Sequence, residues 1–156
     1  MRVLIVSVVF LATVIGLSGA ALAPAQAAQP KADAPKVSAE QLDICEVVFR
    51  HQFGHNASAV KEKAAAYFLR IFEKDPPEEF LQRFKDNKPP VRKGSEFAAG
   101  KGLEFHVDSI KRVDADKAVV EGGYYEAGTS ASYNVYTVVR KDGKWVVVSD
   151  ELKAIS

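Results

Sequence analysis

From Gly102 to the end of the chain, hydrophobicity repeats every second residue, and this limits the fold more than any other feature. Leu103, Phe105, Val107 and Ser109 alternate with Glu104, His106, Asp108 and Ile110, which predicts a half-buried strand over 103–113. Asp114-Ala115-Asp116-Lys117 predicts a turn, and strands follow over 118–126, 132–140 and 144–149. Asp142-Gly143 between the last two is the dipeptide of a type I′ hairpin, because both central residues of that turn need positive φ. Four consecutive strands with short connections predict an antiparallel meander. One face of it is apolar and needs a cover, so the expected class is α+β.

The cover is legible upstream. Ser38 with Gln41 three residues later forms a capping box. Leu42, Cys45, Val48, Phe49 and Phe53 then keep the 3–4 spacing of one apolar helix face. The spacing predicts a helix over 38–53, ended by Gly54 as a left-handed cap. Tyr67–Phe72 predicts a strand. Asp75-Pro76-Pro77-Glu78 predicts a short helix over about 76–85, with Asp75 as N-cap and Pro76 in the first turn. Phe80, Leu81 and Phe84 give it an apolar face, and Pro89-Pro90 stops it. The paired glycines Gly122-Gly123 predict a bulge or a sharp bend that curves the sheet around the first helix.

Before these elements lies a different kind of segment. Arg2 is followed by 21 uncharged residues, Val3 to Ala23, and then by Ala25-Gln26-Ala27. That order is the pattern of a signal peptide, with cleavage expected after Ala27. The alternative is a retained membrane anchor, since about 20 apolar residues span a bilayer. Ser7, Thr13, Gly16, Ser18 and Gly19 within the run favour the signal peptide. The expected organisation is thus a signal peptide over 1–27, a flexible lead over 28–37 and one α+β domain over 38–156. The expected location is periplasmic or extracellular, with no stable membrane anchor after cleavage.

Charge and cysteine usage narrow the function classes. Lys and Arg number 21 against 20 Asp and Glu, so nothing draws the chain to nucleic acid or to an anionic membrane. A single cysteine, Cys45, excludes an internal disulfide.

Several stretches carry a resemblance. They are Val48–Phe53, Asp75–Phe84, Lys93–Phe97, Val120–Ala127 and Val138–Val148. They are similar to a group of small exported bacterial proteins to which no activity or site is assigned. The order of elements also resembles the NTF2-like or cystatin-like superfamily. That resemblance implies a curved sheet around a long helix, a pocket, and often a homodimer.

The residues that carry chemistry are few. Gly94–Gly102 looks like a phosphate loop, but five residues separate Gly94 from Gly100 where the motif needs four. Gly102 also stands where a Ser or Thr must reach magnesium, so no cofactor is expected. His51 and His55 have the i,i+4 spacing of a helical metal pair, with Gly54 expected to end the helix between them. They are the weak metal candidates in a chain expected to hold none. Cys45 falls on the apolar stripe and is expected to be structural. Asn56-Ala57-Ser58 matches a glycosylation acceptor by its letters.

Tyr124, Tyr125, Tyr133, Tyr136 and Trp145 crowd the meander. Alternation sends Tyr124 and Tyr125 to opposite faces, as it does Tyr133 and Tyr136, so they do not all belong to the core. These five are the candidate ligand-binding residues, with cross-strand pairing as the structural alternative. The expected function is a non-catalytic binding or interaction module whose partner is an apolar small ligand or a protein. The alternatives are an enzyme or small-ligand carrier with an NTF2-like pocket, or a structural or stress protein of the envelope. For the enzyme the candidates are Glu104, His106, Asp108 and Tyr136. Their availability depends on which sheet face the first helix covers.

Overall fold

A computed structural model describes residues 36–128 and 130–156. The expected signal peptide, and nearly all of the lead, lie outside the described residues. The first helix, α1, spans Ala39–His55. Ser38 caps it as the sequence indicates: Gln41 N donates to Ser38 Oγ at 3.2 Å, and Ser38 N donates to Gln41 Oε1 at 2.9 Å.

Helix α1 does not end at Gly54. It runs to His55 and stops at Asn56, whose backbone is extended. The reason is a side chain: Asn56 Nδ2 donates to the carbonyls of Gln52 (2.9 Å) and Phe53 (3.2 Å). With these carbonyls satisfied, no left-handed residue is needed to close the helix.

Six strands form one open sheet among the described residues: β1 (Ala66–Ile71), β2 (Val91–Lys93), β3 (Gly102–Arg112), β4 (Lys117–Ala127), β5 (Ser130–Lys141) and β6 (Lys144–Ile155). The spatial order is β2-β1-β3-β4-β5-β6. From β3 to β6 all pairings are antiparallel, so the meander stands as expected. Strand β1 is parallel to both β2 and β3. The class is α+β with a mainly antiparallel sheet.

The second helix, α2, is only Glu78–Leu81, continued by a 3₁₀ turn over Gln82–Phe84. Pro77, not Asp75, holds its N-cap position. Asp75 has a better partner: its carboxylate accepts from Ser95 N (2.8 Å) and Ser95 Oγ (2.6 Å). Phe80, Leu81 and Phe84 are nevertheless buried, because the apolar spacing survives the tighter turn.

One face of the sheet packs on α1. Ile44, Cys45, Val48 and Phe49 from the helix meet Leu103, Phe105, Val107, Val120 and Val138 from the sheet. Phe53 lies between Tyr67, Phe84 and Phe105 at ring-centroid distances of 4.8, 5.8 and 5.1 Å. At the far end Trp145 is enclosed by Arg112 and Arg140, whose guanidinium carbons sit 4.9 and 4.8 Å from its ring. Both arginines pair with Glu40, which ties the first turn of α1 to β3, β5 and β6.

The simple alternation of β3 fails at one place. A bulge falls between Val107 and Ser109, so Val107 pairs with Gly122 and Ser109 with Glu121. Ser109 therefore turns to the outer face, where its hydroxyl donates to Glu121 at 2.9 Å, and Ile110 packs on the core instead. Gly122 and Gly123 keep continuous register; the bulge is in the strand opposite them. Their role is close approach. A Cβ on Gly122 would stand 2.2 Å from the His106 carbonyl oxygen, and one on Gly123 1.9 Å from that of Ser132. Further register shifts occur between β4 and β5 and twice between β5 and β6. Bulges strengthen local twist, and here they multiply at the end of the sheet nearest the last turn of α1.

Candidate functional site

The last turn of α1 brings three side chains against β5 and β6. His51 Nε2 donates to Asp150 Oδ2 at 2.9 Å. Asp150 is held on its other oxygen by Asn134, whose Nδ2 donates to Oδ1 at 2.6 Å. One turn further, the His55 ring stacks on His51 at 4.1 Å with only 4° between planes, and its Nδ1 donates to the His51 carbonyl. Because Asp150 accepts from Nε2, the nitrogen of His51 left for other partners is Nδ1.

Gln52 is polar yet buried on the same helix face as the core residues. Its Nε2 donates to Tyr136 Oη (3.2 Å) and to the His106 carbonyl (3.3 Å). Burial pushes the Tyr136 phenol well above its ordinary value, with the Gln52 hydrogen bond opposing and the nearby Asp150 charge assisting. Tyr136 also sets its ring edgewise to His51 at 5.9 Å. After the helix the chain is pinned: Ser58 Oγ and Ser130 Oγ both donate to Glu126, each at 2.8 Å.

His51, Gln52, His55, Asn134, Tyr136 and Asp150 line a pocket of about 370 Å³ between the end of α1 and the inner face of β4–β6. Its remaining wall includes Ala57, Tyr124, Leu152 and Ile155. The size is that of a small-molecule site, with an apolar wall and a few converging polar groups. A depression of about 440 Å³ beside Gly54 is larger, but no buried carboxylate, amide or imidazole lies in it.

The five aromatic candidates are divided by the sheet. Tyr124 and Tyr136 line the pocket. Tyr125 and Tyr133 face outward and are partly exposed, with Tyr125 packing on Phe97 at 5.7 Å. Trp145 lies under its two arginines, away from the pocket. The enzyme candidates divide likewise. Since α1 covers Leu103, Phe105 and Val107, the side chains of Glu104, His106 and Asp108 lie on the outer face. There His106 pairs with Asp108 at 2.9 Å, and Glu104 with Arg70 at 2.7 Å. Glu104 and His106 are half-covered there and spent on these ion pairs, and none of the three lines the cavity, which leaves Tyr136 as the one of the four inside it.

His51 and His55 do lie on one helix face, because Gly54 does not end the helix. Stacked parallel rings aim their in-plane lone pairs side by side, not at a common point. His51 Nε2 and His55 Nδ1 are also already engaged. Among the described residues no three His, Cys, Asp or Glu side chains form a metal-binding group. Cys45 is fully buried, and burial pushes its thiol up to about 12, which suits a packing role and not a nucleophile. Asn56 is buried with its amide nitrogen spent on the helix end, so the glycosylation triplet presents no accessible acceptor.

Sequence reasoning missed Gln52, Asn134 and Asp150. Two left a signal. Gln52 falls four residues after Val48 and three after Phe49, a polar residue on an apolar stripe. Asn134 shares the alternating face of Tyr136 and Val138, where an apolar residue is expected. Asp150 left none, because two register shifts between β5 and β6 decide which way it points. No protein-family model, no curated protein and no solved structure matches this chain.

Proposed function

We propose that the domain is a non-catalytic binding module that holds a compact, largely apolar small molecule in the pocket between α1 and β4–β6. The observation that carries this reading is the pocket itself. Polar side chains from α1, β5 and β6, with Gln52 and Asn134 buried and Asp150 at the exposed rim, converge on a cavity whose wall also includes Tyr124, Leu152 and Ile155. The order of elements, a long helix followed by a sheet that ends in an antiparallel meander on it, supports an NTF2-like or cystatin-like reading of the fold. Native mass spectrometry of the protein purified from its own source tests the proposal. An adduct that leaves on denaturation is expected; a bare mass, with no gain in stability across a library of small apolar compounds, overturns it.

One observation favours a second reading, an acid–base enzyme. His51 is oriented by a carboxylate inside a cavity, as a general base has to be. The bound molecule distinguishes the two. A carrier and its His51→Gln variant release the same compound, whereas an enzyme and that variant release product and substrate.

We also propose that the domain works outside the cytoplasm, on the pattern of Met1–Ala27. N-terminal sequencing of the protein from the exported fraction tests this. A start at Ala28 is expected, and a start at Met1 overturns it.

A further inference from the structure

We infer that the pocket is selective for a ligand bearing an ammonium or similar cationic donor on an apolar body, and rejects carboxylates and phosphates of the same shape. This rests on the pocket reading above and adds the sign of the charge. Among the described residues, neither lysine nor arginine lines the cavity. Asp150 is the one carboxylate in the lining, and its side chain is still about 21% exposed. Lys153, the nearest basic residue on β6, is paired with Glu151.

The buried amides point the same way. Gln52 gives its nitrogen to the His106 carbonyl and Asn134 gives its nitrogen to Asp150, and both of those partners only accept. Neither amide is free to turn round. Gln52 Oε1 and Asn134 Oδ1 are therefore left buried with no donor among the described residues. Two uncompensated carbonyl dipoles and one carboxylate make the wall electronegative, and nothing in it offsets an anion. Tyr124 and Tyr136 supply ring surface beside the carboxylate, a setting that also suits a cation.

The test uses three probes of one shape on the full-length chain at pH 8 and low salt, where an ordinary histidine is neutral. Benzylamine, benzyl alcohol and benzoate are titrated by calorimetry, with amide chemical shifts of α1 and β6 as a second readout. Benzylamine is expected to bind about tenfold more tightly than benzyl alcohol, with benzoate weakest, and added salt narrows the gap. In Asp150→Asn the advantage of the amine falls to about one. If benzyl alcohol binds and benzylamine binds no better, the charge inference fails and the pocket reading stands. If none of the three binds, both fail. Should Asp150→Asn not fold, the ranking on the unaltered chain decides the question alone.

Discussion

Glu40 shows how a single exposed side chain can carry a pH signature. The Arg112 guanidinium beside it, and then Arg140, hold its carboxyl below the ordinary carboxylate range. A carboxyl depressed in the folded state stabilises the fold at pH values above its unfolded value, roughly 4.3, and that contribution is lost as pH falls through the folded value. Glu40→Gln imitates the protonated form. Urea melts are therefore expected to separate the two proteins at pH 7 and to bring them together toward pH 3. A gap that stays constant with pH would remove Glu40 from the clamp around Trp145. In the core the scale of effect is larger. Phe49 is fully buried and packs on Phe80 with ring centroids 6.2 Å apart, so Phe49→Ala is expected to cost about 3–5 kcal/mol in chemical denaturation.

Elements respond to glycines in opposite senses. Gly54 lies inside α1 and is exposed, and a methyl group there would meet nothing within 4 Å beyond the helix itself. Gly54→Ala is therefore expected to stabilise the protein by roughly 0.5–1 kcal/mol, where a left-handed cap would have made it destabilising. Gly123 is the reverse. A methyl group there would meet the Ser132 carbonyl at 1.9 Å, so Gly123→Ala forces β4 and β5 apart, at a cost of about 1–3 kcal/mol or more. Thermal melts of the two variants are expected to move in opposite directions. Two movements of the same sign would contradict the assignment of one glycine to helix and the other to close strand approach.

The site belongs to the whole molecule. One wall is the last turn of α1, and the other is the second half of an edge strand, where Ser149–Ile155 is exposed. An edge with few buried contacts opens easily, and a ligand bound only to the closed form suppresses that opening. Amide hydrogen exchange over 149–155 is expected to be fast in the free protein and to slow on ligand binding, together with the last turn of α1. Slowing confined to the outer face around Tyr125 and Tyr133 would move the binding surface to the other side of the sheet.

Much of this fold is local in origin and could be read from the chain. Ser38 and Gln41 cap α1 through contacts three residues apart, Asp142-Gly143 turns β5 into β6, and the alternation of Leu103, Phe105 and Val107 selects the face that α1 covers. Short-range rules suffice there because the interacting groups are sequence neighbours. They fail wherever a remote or unforeseen partner outcompetes the expected one. Asp75 leaves its helix for Ser95, and Asn56 replaces Gly54 as the end of α1. The candidate site is the extreme case, for His51 and Asp150 are 99 residues apart and meet, with Asn134, only across the finished sheet. Local chemistry along the chain was enough to specify β1, the four strands of the meander, the helix N-cap and the apolar face, but not β2 or the last six residues of β6, which are held only by their neighbouring strands. Which polar residues share a cavity was settled by the assembled fold, because each register shift along β3 and β6 moves the alternation by one residue and so reassigns every side chain beyond it.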